Sequence, residues 1–135
     1  MLHLVSVRPV IRVSDVLRSL SWYRDNLGFT PEAVPAEPPH VRCVLQRDGV
    51  SLMLRHANAV PPRSLLPGDW DVYLTLEGEA LAELLDHARR RTPLVRGPEV
   101  MPGGMVEFEL EDPDGYRVCV AERLSDVTGF PPAVG

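Results

Sequence analysis

Apolar residues recur along the chain with two periods, and the way these alternate divides it into two similar halves. Val16, Leu20, Tyr23 and Leu27 fall three or four positions apart, the spacing that collects side chains on one face of a helix. Ser14-Asp15 precedes this run as an N-cap and Gly28 follows it as a stop. Leu81, Leu84, Leu85 and Ala88 repeat the pattern, with Glu79, Glu83, Asp86 and Arg90 left to face water. The acidic start of this second helix and its Arg89-Arg90-Arg91 finish complement the helix dipole.

Extended segments surround each helix. Residues 7–13 precede the first helix, and about 30–36, 40–47 and 50–55 follow it. Residues 71–76 precede the second, and about 94–100, 105–111 and 117–122 follow it. Each set closes on an Asp-Gly pair, Asp48-Gly49 and Asp114-Gly115, which supplies the positive φ angles of a short hairpin. The pattern predicts an α+β chain of two tandem βαβββ modules within a single domain, residues 1–135. Module one covers about 4–56, a Pro-rich linker about 57–68, module two about 69–122, and a tail 123–135.

Strand parity separates what packs from what is free to bind. Val7, Pro9, Ile11 and Val13 share one face of the first strand, opposed by Arg8, Val10 and Arg12. Val72, Leu74 and Leu76 oppose Asp71, Tyr73 and Thr75, and Val118 and Val120 oppose Arg117, Cys119 and Ala121. Leu52 and Leu54 of the fourth strand are assigned to the second, mixed face. That face reads either as a solvated sheet surface or as the lining of a pocket.

Composition narrows the function classes. The 135 residues are 44% hydrophobic and carry a formal charge of −5, enough apolar material for a core and no basic block for nucleic acid. The acidity favours cationic small molecules. The first residues lack the features of a signal peptide, and no apolar run is long enough for a membrane span. Cys43 and Cys119 have no CxxC partner and read as reduced thiols of a cytoplasmic protein. Cys119 is either a buried small residue or a nucleophile activated by a neighbour such as Arg117. Trp22 and Tyr23 read as packing residues. Trp70 and Tyr73 offer flat surfaces to planar or cationic ligands. Of the histidines, only His40, at the start of the third strand, is placed to approach a cavity.

Three stretches carry a family resemblance. The run from Val13-Ser14-Asp15 through Trp22-Tyr23 to Leu27-Gly28-Phe29 resembles the first-helix signature of the vicinal oxygen chelate superfamily, which includes glyoxalases, bleomycin-resistance proteins and dioxygenases. Glu107-Phe108-Glu109-Leu110-Glu111-Asp112-Pro113-Asp114-Gly115-Tyr116 resembles its last hairpin, and Asp69-Trp70-Asp71-Val72-Tyr73-Leu74 is similar to the fifth strand of bleomycin-resistance-like members. The resemblance implies a curved, barrel-like mixed sheet with helices on its outer face, and a homodimer in which modules are free to be exchanged. Transferred one by one, the superfamily's metal-ligand positions fall on Arg8, Leu52, Asp71 and Cys119, with a one-step slip open on the fourth strand. Arg does not ligate a cation and Leu has no donor atom, so the expectation is a site without metal or other cofactor. Arg8 and Asp71 are then expected either to pair across the vacant position or to stand as two solvated charges. The candidate ligand-binding residues are Arg8, Arg12, His40, Leu52, Leu54, Trp70, Asp71, Tyr73 and Cys119. The resemblance implies a metal-independent drug-sequestering binder of a cationic or aromatic small molecule, with no nucleic-acid or membrane partner. The alternatives are a metal-dependent lyase, isomerase or ring-cleaving dioxygenase, and a metal-free enzyme using Arg8, Asp71 or Tyr73.

Overall fold

The computed structural model describes residues 2–32, 40–62, 66 and 68–126. The chain divides into two compact units, Met1–Pro61 and Pro62–Gly135. In the first, β1 (Val10–Val13) leads into α1 (Val16–Leu27), followed by β2 (Thr30–Pro31), β3 (Arg42–Arg47) and β4 (Val50–His56). These strands form one sheet in the order β1-β4-β3-β2, with β1 parallel to β4 and the β3–β4 hairpin antiparallel. The second unit repeats the plan with β5 (Val72–Leu76), α2 (Leu81–Arg89), β6 (Arg96–Val100), β7 (Met105–Glu111) and β8 (Arg117–Arg123). Its sheet order is β5-β8-β7-β6. Each module is therefore a curved, mixed, four-stranded α+β sheet, as the duplicated sequence pattern predicts.

The helix ends follow from local chemistry. Asp15 has extended backbone and its carboxylate accepts the Arg18 N–H at 3.0 Å, which satisfies one donor orphaned at the start of α1. Gly28 sits at φ 72°, and its N–H returns to the Arg24 carbonyl at 3.0 Å. Val16, Leu20, Tyr23 and Leu27 are all buried, so the apolar stripe is the packed face. The start of α2 is built differently. Its N-cap, Ala80, has no side chain to offer. Instead the fully buried Glu122 of β8 accepts the Glu79 N–H at 2.7 Å and the Leu81 N–H at 2.9 Å. A carboxylate there satisfies two orphan donors and meets the positive end of the dipole.

Several boundaries differ from the sequence reading. The first strand is four residues long, beginning after Pro9, which has no N–H to give to the ladder; the register Val10 to Met53 sets Val7 opposite Val50, where β4 begins. Earlier residues run past the edge of their own sheet, and Val7 is 81% exposed instead of packed. The third strand begins at Arg42, leaving His40 ahead of it. Residues 33–36 of the expected second strand, most of residues 63–67 of the linker, and residues 127–135 of the tail lie outside the described residues.

The fourth strand requires a correction of face. Leu52 and Leu54 are 1% and 0% exposed. They pair with Leu45, Cys43 and Ile11, all buried on the side against which α1 packs. The residues of β4 on the mixed face are Ser51, Met53 and Arg55, one step away. Leu52 and Leu54 are core residues and line no mixed surface.

Candidate functional site

The second module gathers its polar chemistry on one face. In β7 the sequence Glu107-Phe108-Glu109-Leu110-Glu111 alternates strictly, so the glutamates share a side. Register lines up Tyr73 with Cys119, Cys119 with Glu109, and Glu109 with Arg96. One row of side chains thus crosses all four strands, with Glu107 two residues along β7. Register shifts between Arg96 and Glu99, and such a bulge re-aims the side chains beside it. Gly97 permits it: at φ +87° it lies so near the Glu107 carbonyl that a Cβ would collide.

Arg96 is the hub. Its guanidinium bonds Glu109 through Nε, Glu99 through Nη1 and Glu107 Oε1 through Nη2, the last at 2.9 Å. The Arg96 and Glu107 side chains are only 15% and 6% exposed. Tyr73 Oη donates to Glu107 Oε2 at 2.7 Å, and the Cys119 thiol donates to Oε1 at 3.5 Å. Both oxygens of Glu107 are thereby engaged.

The electrostatics follow. Burial works against the Glu107 charge, but the bonds from Tyr73, Arg96 and Cys119 outweigh it and hold the carboxyl below its ordinary value. Burial and then the bond to Glu107 raise the Tyr73 phenol. Burial, followed by the Glu107 charge, pushes the Cys119 thiol up to about 12. Cys119 is therefore a neutral donor, not an activated nucleophile, at neutral pH. Cys43 is also buried and shifted upward, by burial and then by Glu32.

Trp70 stands next to this network. Its ring centroid lies 5.3 Å from that of Tyr73, and the two residues are 38% and 39% exposed. Asp71 donates its N–H to the Arg117 carbonyl at 2.8 Å and accepts the Arg117 N–H on Oδ2 at 2.9 Å, which extends the β5–β8 pairing by one step.

Of the residues singled out from sequence, Trp70, Asp71, Tyr73 and Cys119 come together here. Arg8 and Arg12 belong to the first module. Arg8 Nε donates to Ser51 Oγ at 3.1 Å, and its Nη2 lies 3.7 Å from Glu32. Arg12 aligns with Arg55 and Arg42 in an exposed row across β1, β4 and β3. His40 lies with His56, Ser14, Asp15 and Leu17 in a pocket of about 280 Å³ at the N-terminal end of α1. Arg96, Glu107 and Glu109 were not singled out, although the alternation in β7 places its glutamates on one face.

The donor set does not fit a divalent metal. Arg8 is a cation with partners of its own, Leu52 is buried apolar, Asp71 holds a backbone N–H, and Cys119 retains its proton. Ser51 or Met53, one step from Leu52, restores no ligand set of the kind zinc or iron requires. Among the described residues, no three His, Cys, Asp or Glu side chains form a group able to hold a metal ion. Where carboxylates do converge, the Arg96 guanidinium already occupies the centre. No helix of the described residues is long and apolar enough to cross a membrane.

Solved structures repeat this architecture. TioX from Micromonospora sp. ML1 superposes with a TM-score of 0.67 at 17% identity, covering 88% of this chain and 100% of its own. A possible glyoxalase from Bacillus cereus gives 0.62 at 17% identity, covering 84% and 94%. A bleomycin-binding protein complexed with bleomycin gives 0.61 at 19% identity, covering 89% and 99%. At these identities the likeness is one of fold. No curated protein sequence matches the chain. The sequence profile described as Glyoxalase/Bleomycin resistance protein/Dioxygenase superfamily matches residues 2–120, and the chain belongs to that superfamily.

Proposed function

We propose that this chain is a metal-independent small-molecule-binding protein, and that the mixed face of its second module receives a ligand bearing a cationic or planar aromatic group. The observation that carries this reading is the exposed Trp70–Tyr73 pair joined, through the Tyr73 hydroxyl, to a carboxylate cluster. Three glutamates, Glu99, Glu107 and Glu109, surround one guanidinium, so the cluster carries a formal excess of negative charge. Aromatic faces beside such an excess suit a flat cation through stacking and cation–π attraction. Sequestration of a drug-like compound is the role this supports, in keeping with the bleomycin held by a protein of the same fold.

The same reading includes a cytoplasmic homodimer. Leu2, Leu4, Val5 and Val7 are each more than 80% exposed and overhang their own sheet, which leaves an apolar segment for a second copy to cover.

The test has two arms. Metal analysis of the untagged protein, equilibrated with zinc, nickel, manganese and ferrous iron and then desalted, is expected to find far less than one ion per chain. A stoichiometric ion would overturn the metal-independent reading in favour of a chelate-type lyase or dioxygenase. Titration with planar cationic compounds, followed by Trp70 fluorescence in a Trp22→Phe background, is expected to saturate. A flat response across the series would overturn the assigned ligand class.

A further inference from the structure

One charged group on this face has no counterpart among the described residues. Arg117 begins β8 with the parity of Cys119, on the face that carries Tyr73 and Glu107. The residue is only 9% exposed. Its Nε is buried without a hydrogen-bond acceptor. Among the described residues its guanidinium makes no hydrogen bond or ion pair, since the bonds joining it to Asp71 both use its backbone. The two Nη groups are not among the sealed-off atoms. Glu111 lies directly across the β7–β8 ladder, yet forms no ion pair with it.

A buried guanidinium without an anion is costly, and native structures pair such groups. The contrast within the module is direct. Arg96 has three carboxylates, whereas the guanidinium of Arg117, about 7 Å along the strand from Cys119, pairs with none among the described residues. The planar fork of arginine matches carboxylate and phosphate oxygens in bidentate fashion.

We propose that Arg117 is a binding residue for a planar or tetrahedral oxyanion, and that the ligand is amphoteric. Its carboxylate or phosphoryl group meets the Arg117 fork, while its aromatic or cationic portion lies over Trp70 and Tyr73. The second clause rests on the proposed function; the anion site does not. Ligand class narrows accordingly, from simple cations to molecules carrying both a flat or cationic part and an acidic group.

The test uses three small probes on the full chain carrying Trp22→Phe, with Trp70 fluorescence as readout: benzoate, phenyl phosphate and benzylamine. Benzoate or phenyl phosphate is expected to saturate the parent protein, and the stronger of the two identifies the anion. Arg117→Met is expected to weaken that probe at least tenfold, and Arg117→Lys to recover part of the loss. Benzylamine is expected to bind Arg117→Met as well as the parent or better.

Thermal unfolding without ligand gives a second readout. Arg117→Met is expected to melt at or above the parent temperature, because the substitution removes a buried charge that lacks a partner. Anion binding that survives Arg117→Met unchanged overturns the proposal, and so does a melting temperature lowered by more than about 5 °C, the mark of a structural arginine. Binding of benzylamine with neither anion refutes the Arg117 site and leaves the proposed function standing. Arg117-dependent anion binding without benzylamine upholds the Arg117 site and refutes a cationic group as the part held by Trp70 and Tyr73. Silence from all three probes overturns both.

Discussion

The two modules share a topology and a register, and they use the same face in opposite ways. In module one the row across β1, β4 and β3 is Arg12, Arg55 and Arg42, three like charges, all exposed. In module two a row on the corresponding face, Tyr73, Cys119, Glu109 and Arg96, is tied together through Glu107 and largely buried. Like charges facing one another across strands repel unless water screens them, so the first row tolerates exposure and little else. In the second, the Arg96 cation is bonded to three anions, Glu109 of the row and Glu99 and Glu107 beside it. Topology fixes which positions look inward; side-chain chemistry decides which of the two copies becomes a site.

The largest expected effect tests that contrast at its centre. Arg96→Met strands Glu107 and Glu109, and removing one partner of a buried pair costs roughly 3–5 kcal/mol. Arg12→Met, in the exposed row, is expected to change stability by no more than about 1 kcal/mol. Urea unfolding of both variants would make the comparison, and equal losses would erase it.

Glycines give a second pairing. Gly97→Ala combines positive φ with a collision against the Glu107 carbonyl and is expected to cost about 3 kcal/mol. Gly49→Ala has the same sign of φ but open space around it, and about 1–2 kcal/mol is expected. If the two cost the same, the β6 bulge is less constrained than its geometry implies.

The helix caps are next in size. Glu122→Gln keeps its shape but loses the charge that two N–H groups share, and about 1–2 kcal/mol is expected. Asp15→Asn is expected to cost only tenths of a kcal/mol, since Asn caps nearly as well as Asp. Thermal melts of the single variants would rank them.

Acid sensitivity sharpens the same contrast with the smallest effect. The folded-state pKa of Glu107 lies below its unfolded value. Its stabilisation is therefore complete above the ordinary glutamate pKa of about 4.3 and is lost as pH falls through the lower folded value. Glu107→Gln is expected to flatten the fall in stability below pH 4 seen by urea unfolding. A variant curve parallel to the parent would mean that Glu107 is not held ionised by its neighbours.

Much of the fold was legible because its signals are local. Val16, Leu20, Tyr23 and Leu27 sit at helical spacing and are all buried, and the Asp-Gly pairs lie in the hairpin turns, although only Asp48-Gly49 has positive φ at both residues. The face of β4 is not legible in its own sequence, for an equally local reason. Leu52, Met53 and Leu54 form an unbroken apolar run, so parity within the strand is silent and only pairing with Cys43 and Leu45 resolves it. The site was half legible. Tyr73 and Cys119 follow from parity within single strands, and Trp70 from its flat aromatic surface beside a strand. Arg96 does not, because its reach toward Glu107 and Glu109 depends on a bulge and on strand order, both set by tertiary pairing. Glu122 was hidden similarly: its partners are backbone donors 43 and 41 positions away.

The guanidinium at the centre of module two has a consequence for supply. A metal ion must be acquired, competes with other ions for its ligands, and is stripped by chelators or scarcity. The Arg96 cation is delivered once per chain at translation, cannot dissociate, and keeps its proton at any pH the fold survives. The charge at the centre of this face thus comes with the chain itself.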